Sequence, residues 1–211
     1  DLFGMTMGGY GLTGIMTQMQ VDLAPNARLE PSYEEMPAEA FGDRFIAALA
    51  DDAVTMAYGR LSVDRAAFMS DALMITYRPT AEQSDLPPAS GSGAAAKIAS
   101  RIYRGQLGNE RMKRVRWWFE ADLATTLASG PATRNSLINE PVVTLDDRNP
   151  DRTDILHEYF IAPDRFAEFV ALCRDVIPGS YQEFLNVTLR VVDTDPESWL
   201  SYAPVPRIAA V

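Results

Sequence analysis

Residues Gly8–Leu23, GGYGLTGIMTQMQVDL, decide how the rest of this chain is interpreted. They open with four glycines, namely Gly8, Gly9, Gly11 and Gly14. Glycine lets the backbone adopt left-handed angles and lets another group approach closely. From Ile15 onwards apolar residues alternate with polar ones, which predicts a half-buried strand. A glycine-rich turn before a strand can hold a phosphate or a flat ring system, and it can equally be a tight turn before a hairpin strand.

Further strands are predicted along the rest of the chain. Ala53–Val63 and Ala72–Arg78 form a pair, and the residues between them are enough for a helical turn. The most regular strand of the second half is Phe184–Val192, FLNVTLRVV, and a shorter one, ILHEYFI, covers residues 155–161. Residues 28–36 are charged, and we expect them to form an extended connection.

Helices are interspersed irregularly with these strands. One is predicted at Ala38–Ala50, a second over residues 95–128 with a break near Gly105–Gly108, and a third from Pro163 to Pro178. Strands outnumber crossover helices, and no regular βαβ repeat is present. The sequence therefore predicts an α+β fold with a mainly antiparallel sheet that is covered by helices on one face.

The second helix carries both an apolar stripe and a basic cluster. Asn109 is a good N-cap for its second part. The predicted buried stripe consists of Met112, Val115, Phe119, Leu123 and Leu127, with Trp118 beside it. The basic residues on its other faces are Arg111, Lys113, Arg114 and Arg116. Such a cluster can bind phosphate, but in an acidic chain we favour a solvated face that is paired with nearby carboxylates.

Residues 80–94, TAEQSDLPPASGSGA, are the clearest loop in the sequence. They are interpreted as an exposed connection, and the functional alternative is a lid over a pocket.

The composition limits the possible functions. The net charge of −10 over 211 residues argues against nucleic acid or an anionic membrane surface as the main partner. No apolar run reaches the roughly 18 residues of a membrane span. The single cysteine, Cys173, excludes an intrachain disulfide and is interpreted as a core residue, while the single histidine, His157, leaves little for a zinc site.

Three segments of the chain resemble one enzyme family. GGYGLTGIMTQMQVDLAPN is similar to the end of the flavin-binding domain in the vanillyl-alcohol oxidase/p-cresol methylhydroxylase superfamily, which includes cytokinin dehydrogenases and sugar or alditol oxidases. The glycines of the family pattern are followed here by Ile15 and Thr17, while Thr13 stands where an aromatic residue is commonest. HEYFIAPDRFAEFV resembles the strand–proline–helix step of the family, and FLNVTLRVVDTDPESWLSYA resembles the strand and acidic turn that follow.

The resemblance implies a division of the chain. Residues 1–26 would be the end of an FAD-binding domain, and residues 27–211 would be most of the substrate-binding domain. Gly8, Gly9, Gly11, Gly14 and Ile15 would lie beside the FAD. We expect the chain to be a piece of a longer protein whose other part holds the cofactor, so that these 211 residues alone do not retain FAD.

The resemblance also implies a reaction and a place for the substrate. The enzyme would transfer a hydride from a C–H next to oxygen or nitrogen of a small organic substrate to the flavin. The substrate would lie between the flavin and the sheet, so polar residues on strand faces are the candidates for binding and catalysis. These candidates are Arg190, Asn186, Tyr159 and Arg60.

Each candidate also has a purely structural interpretation, as part of a sheet face whose hydrogen bonds are satisfied. Asn186, Thr188 and Arg190 share one strand face, as do Tyr58 and Arg60, and His157 shares a face with Tyr159. The rival hypothesis for the whole chain is a non-catalytic α+β binding module in which the glycine-rich start is only a hairpin. A sugar, an alditol, an amine, a hydroxy acid or a phenol all stay open as the substrate.

Overall fold

The computed structural model describes residues 2–86, 101–123, 132–139, 151 and 153–211, and it confirms the predicted α+β class. Seven strands form one sheet in the order β4-β1-β3-β2-β6-β7-β5, and every pairing between them is antiparallel. The strands are β1 Arg28–Pro37, β2 Met56–Leu61, β3 Asp71–Pro79, β4 Ala132–Thr133, β5 Tyr159–Ile161, β6 Val187–Val192 and β7 Arg207–Ala210.

Five α-helices are described. They are α1 Leu2–Thr6, α2 Phe41–Leu49, α3 Glu110–Trp118, α4 Arg134–Ile138 and α5 Phe166–Val176. Short 3-10 helices at Ala38–Ala40 and Pro163–Arg165 precede α2 and α5, and a third at Arg65–Ala67 links β2 to β3. Residues 101–105 are also helical.

The main hydrophobic core lies on one face of the sheet, beneath α2 and α5. Three fully buried phenylalanines, Phe41, Phe45 and Phe166, form its centre, with ring centroids 4.8 Å and 5.5 Å from that of Phe41. Cys173 belongs to this core, as predicted. A smaller cluster lies on the other face, where Trp117 of α3 and Leu137 of α4 pack near strands β1 and β3.

The strand predicted from Ile15 to Leu23 is wrong. Residues 14–27 belong to no strand or helix, and Ile15 and Leu23 are 92% and 88% exposed. Alternating polarity is compatible with a strand, but a strand also needs a neighbouring backbone to accept its hydrogen bonds. The sheet offers these residues no such pairing.

The extended connection expected at residues 28–36 is instead the ten-residue strand β1. Nine of its ten residues pair with β3, from Leu29↔Pro79 to Pro37↔Asp71. Pro31 is tolerated because β4 pairs only with Arg28 and Leu29, so that β1 is an edge at Pro31 within the described part of the sheet.

The buried stripe predicted on the second helix is also wrong. Its apolar residues are substantially exposed, namely Met112, Val115, Trp118 and Phe119. The side chains that α3 buries are Lys113 and Arg116. The side chains of Leu123 and Leu127 lie outside the described residues. Asn109 is the N-cap, as predicted, and its side chain accepts a hydrogen bond from the amide of Met112.

Two further features bear on the predictions. The loop predicted at 80–94 has neither helix nor strand over residues 80–86, and its remainder lies outside the described residues, so the lid stays a hypothesis. No helix in the described part of the chain is long and apolar enough to cross a membrane.

Candidate functional site

Three of the four candidate substrate residues lie on one face of the sheet, opposite the main core. Arg60 of β2 pairs with Thr188 of β6, and its guanidinium donates a hydrogen bond to the Thr188 hydroxyl. The amide of Asn186, just before β6, lies 3.4 Å from the same hydroxyl oxygen. Arg190 lies two residues further along β6 and therefore points to the same side. Asn186, Thr188 and Arg190 thus share one face, as predicted, and the pairing of β2 with β6 places Arg60 on the same face.

Tyr159 lies on the opposite face. It pairs with Ala210 of β7, which belongs to the main core. Its ring centroid is 5.9 Å from that of Phe169 on α5, and its hydroxyl is 3.3 Å from Nδ1 of His157. Tyr159 and His157 therefore belong to the side covered by helices, apart from the other three candidates.

Arg190 is held by an acidic residue from the neighbouring part of the sheet. Its guanidinium forms an ion pair with the carboxylate of Glu158, which directly precedes β5. The arginine side chain is 53% exposed, whereas that of Glu158 is 26% exposed. The arginine is thus reachable from solvent even though it has an internal partner.

Tyrosines border Arg60. The guanidinium carbon of Arg60 is 5.6 Å from the centre of the Tyr58 ring, a cation–π distance. Tyr58 in turn stacks on Tyr77 with ring centroids 6.3 Å apart. Burial raises the pKa of Tyr77 and of the nearby Tyr33 above the usual value for tyrosine, so both hydroxyls stay protonated at neutral pH.

A second group of polar residues, Tyr103, Arg116 and Glu120, lies near Arg60 on the face opposite the main core. The Tyr103 hydroxyl donates to the Glu120 carboxylate, and the Arg116 guanidinium lies 4.8 Å from the Tyr103 ring centre and 3.4 Å from that carboxylate. Burial raises the pKa of Tyr103 to about 12, although the nearby positive charge of Arg60 opposes the shift. Tyr103 is therefore a hydrogen-bond donor at neutral pH.

This second group was not among the residues predicted from the sequence. The signal that was available is the spacing of Arg116 and Glu120, which are four residues apart in the sequence, as in a helical ion pair. Glu120 lies in the π-helix Phe119–Leu123, which directly continues α3. Tyr103 had no comparable local signal, because the residues that it contacts, Arg116 and Glu120, lie further along the sequence.

A buried lysine joins α3 to the segment that leads into β6. The Lys113 ammonium is 2.8 Å from a carboxylate oxygen of Glu110 and 2.8 Å from one of Glu183. Partial burial alone would raise the pKa of Glu183, but hydrogen bonds from Lys113, the Gly108 amide and Arg65 outweigh it and lower this pKa to about 2. This cluster attaches the segment that leads into β6, the strand of Thr188 and Arg190, to α3.

Arg65 extends the same connection through the backbone. Its guanidinium donates to the carbonyls of Pro178, Ser180 and Gln182 at 2.9, 2.8 and 2.7 Å. These carbonyls follow the end of α5, where helix carbonyls lack partners within the helix. The side chain of Gln106, completely buried, donates to the Leu185 carbonyl at 2.6 Å and completes the attachment.

Other parts of the protein occupy the space beside two of the four glycines in the glycine-rich segment. A Cβ atom at Gly8 would lie 2.9 Å from Ser198, and one at Gly9 would lie 2.2 Å from the Met5 carbonyl. Gly11 and Gly14 have φ angles of 75° and 138°, and nothing lies within 4 Å of their Cβ positions. Only Gly11 and Gly14 therefore leave the backbone open to an incoming group, next to the exposed Ile15.

The fit of this segment to FAD is partial. Residues 1–27 contain no Lys, Arg or His, so they offer no side-chain cation to a pyrophosphate. A cleft of about 400 Å³ lies between α1 and residues 16–20, and its walls include Phe3, Met16 and Met19. Such walls suit contact with a flat ring, whereas the rest of the cofactor needs residues from elsewhere.

Within the described residues, no group of three or more His, Cys, Asp or Glu side chains is placed to hold a metal ion.

The comparisons with known proteins give no relative: no protein-family model, no curated protein and no solved structure matches this chain.

Proposed function

We propose that this chain is the substrate-binding part of an FAD-dependent oxidoreductase, in which a hydride passes from a C–H next to oxygen or nitrogen of a small organic substrate to the flavin. The observation that carries the proposal is the grouping of Arg60, Asn186 and Arg190 on the sheet face opposite the main core. The resemblance of three segments, in order along the chain, to the vanillyl-alcohol oxidase/p-cresol methylhydroxylase superfamily supports the same function.

In this proposal the substrate lies against that sheet face. The Arg60 and Asn186 side chains donate hydrogen bonds to substrate oxygens, and Arg190 adds positive charge at the more exposed end of the group. Tyr159 lies on the other side of the sheet, so we place it outside this pocket. Bound FAD supplies the hydride acceptor, and most of its contacts come from a domain of the same parent chain that ends in residues 1–26.

Flavin titration tests the assignment of the chain to a flavoenzyme. The longest natural chain is expected to bind FAD stoichiometrically, as measured by the flavin absorbance that stays with the protein after gel filtration. The 211-residue chain is expected to retain none. Stoichiometric FAD in the 211-residue chain would contradict the domain division, and no FAD in the longest chain would favour the non-catalytic binding module.

Substitution of Arg190 tests the site in the FAD-containing parent enzyme. Arg190→Ala is expected to lower kcat/KM at least about tenfold, because a hydrogen bond to a charged group is worth about 1.5–3 kcal/mol. The thermal midpoint is expected to change little, since Arg190 is half exposed. Arg165→Ala is the control, since Arg165 forms an exposed ion pair with Glu168 near α5. Equal kinetics for the two variants would remove Arg190 from the site.

A further inference from the structure

Two arginines flank a tyrosine on the candidate sheet face. The register Arg60↔Thr188 and Gly59↔Leu189 places Tyr58 beside Arg190 and makes Arg60 the diagonal neighbour of Arg190. Diagonal neighbours on an antiparallel pair are roughly 7–8 Å apart, within reach of long side chains. Once the Arg190 side chain turns from Glu158 towards β2, both guanidinium groups can therefore reach one small anion between them.

The structure already contains a carboxylate on Arg190, on the side of β6 that faces β7 and β5. Glu158 is bound to Arg190, and it comes from residues 153–158, which precede β5 and have no regular secondary structure. The other carboxylate of the neighbourhood, that of Glu120, is held by Tyr103 and Arg116. This group of residues thus contains the guanidinium groups of Arg60, Arg116 and Arg190 beside the carboxylates of Glu120 and Glu158.

The neighbouring groups suit an organic acid. Thr188 and Asn186 lie beside Arg60 and can bond to hydroxyl groups of a ligand, while the ring of Tyr58 provides an apolar wall. A guanidinium binds a carboxylate through two parallel N–H···O bonds, which is stronger and more directional than a bond between neutral groups. An amine would be repelled by the two arginines, and a neutral alcohol has no negative charge with which to replace the Glu158 carboxylate on Arg190.

We propose that this face binds the carboxylate of a small organic acid between Arg60 and Arg190, and that the incoming carboxylate replaces that of Glu158 on Arg190. The part of this inference that makes the acid a substrate rests on the proposed function. It narrows the substrate class to hydroxy acids and related acids, in preference to alditols, neutral sugars and amines.

The test compares acids with neutral molecules of the same shape, using the 211-residue chain without flavin. The probes are gluconate against sorbitol and benzoate against benzyl alcohol, titrated while the side-chain N–H signals of the arginines are followed by NMR. In at least one pair, the acid is expected to bind at least tenfold more tightly than its neutral counterpart and to shift the signals of Arg60 and Arg190. Equal binding of acid and neutral probe in both pairs would overturn the inference.

Four variants separate this site from general attraction between charges. Arg60→Gln and Arg190→Gln are each expected to weaken binding of the better acid at least tenfold, whereas Arg165→Gln, a change of the same charge at an exposed position, is expected to have no effect. Arg60→Lys keeps the charge and is expected to weaken binding less than Arg60→Gln, which serves as a check should the neutral variant unfold. Weakening by Arg165→Gln to the same extent would overturn the site.

The replacement step has its own variant. Glu158→Gln removes the internal competitor and is expected to tighten acid binding several-fold, while weaker binding would contradict the replacement of Glu158. Because these measurements contain no flavin, they succeed or fail independently of the FAD titration. Acid binding without FAD in the longest natural chain would leave an acid-binding module, and FAD binding without acid selectivity would leave a flavoenzyme with another substrate class.

Discussion

Lys113 is a buried cation whose partners lie at the border with solvent. Its side chain is 2% exposed, while those of Glu110 and Glu183 are each 33% exposed. A buried charge is costly unless it is paired and hydrogen-bonded, and here one ammonium satisfies two carboxylates. Without the lysine, these carboxylates would repel each other near the start of α3, where Arg65 is the other cation.

Replacing this lysine is expected to destabilise the fold. Lys113→Met keeps the length and the apolar stem of the side chain but leaves Glu110 and Glu183 without the ammonium, so we expect a loss of about 3 kcal/mol in the free energy of unfolding. Urea unfolding at pH 7 measures it. The control is Arg114→Met, because Arg114 is half exposed and 3.7 Å from Asp64, and its loss is expected to stay under about 1 kcal/mol. Similar losses in both variants would contradict the role given to Lys113.

The stability difference between the natural chain and Lys113→Met is expected to depend on pH. The folded-state pKa of Glu183 is about 2 against an ordinary value of 4.5, so its ion pair contributes stability above pH 4.5 that is lost as the pH falls towards 2. The difference in unfolding free energy between the natural chain and Lys113→Met is therefore expected to be largest above pH 5 and to shrink on acidification. A difference that stays constant from pH 6 to pH 3 would contradict this assignment.

Two elements show where local sequence patterns fail. β1 contains three glutamates and Pro31, which are uncommon in strands, yet nine of its ten residues pair with β3. β3 is buried on both faces and supplies the partner that β1 needs. Ile15–Leu23 has the better alternation and no partner. Strand pairing depends on a neighbour distant in sequence, and the local pattern contains no information about that neighbour.

α3 shows the same limit for a helix. Its apolar residues recur at helical spacing, which predicts one buried face, but the helix turns Lys113 and Arg116 inward. The reason is the carboxylate of Glu183, 70 positions away, together with Tyr103 and Glu120. The shared face of Asn186 and Arg190 was predictable because alternation within a strand fixes it, whereas the position of Arg60 beside them depends on the pairing of β2 with β6.

The contact between α2 and β2 depends on the absence of a side chain. A Cβ atom at Gly59 would lie 2.4 Å from the Phe41 ring and 3.2 Å from the Leu189 side chain. Gly59→Ala is therefore expected to destabilise the fold by about 1–3 kcal/mol through overpacking, measured by urea unfolding. Gly105→Ala is the matched control, because Gly105 is helical with nothing within 4 Å of its Cβ position, and it is expected to be neutral or slightly stabilising. A neutral Gly59→Ala would mean that α2 can move away from the sheet.

On the scale of the whole molecule, the sheet separates two environments. One side holds the aromatic core, which includes Phe41 and Phe166, and the other holds the polar group around Arg60. The class of the fold was predictable because it depends on the order of strands and helices. The inward orientation of Lys113 and Arg116 on α3 was not predictable, because it depends on contacts that form only after the sheet has brought β2, β6 and α3 together.

Residues 12–23 stand apart from both environments, because their apolar side chains are exposed while α1 is attached to the rest of the molecule. The Trp199 amide donates to the Gly4 carbonyl at 3.1 Å, and a Cβ atom at Gly4 would lie 2.4 Å from the Glu197 carbonyl. Proteases cut exposed backbone outside secondary structure without global unfolding of the protein. They cut a buried strand only after the protein has unfolded.

Thermolysin, which cleaves next to apolar residues, tests this arrangement. In the 211-residue chain, bonds within residues 12–23 are expected to be cut at least about a hundredfold faster than bonds at Ile75 of β3, and low urea is expected to accelerate only the cleavage at Ile75. Mass spectrometry identifies each cut. Equal rates at the two places would show that the segment is protected. Under the proposed function, the FAD-binding domain of the longest natural chain covers residues 12–23, so the same bonds are expected to become resistant there, and rapid cleavage in that chain would contradict the domain division at residue 26.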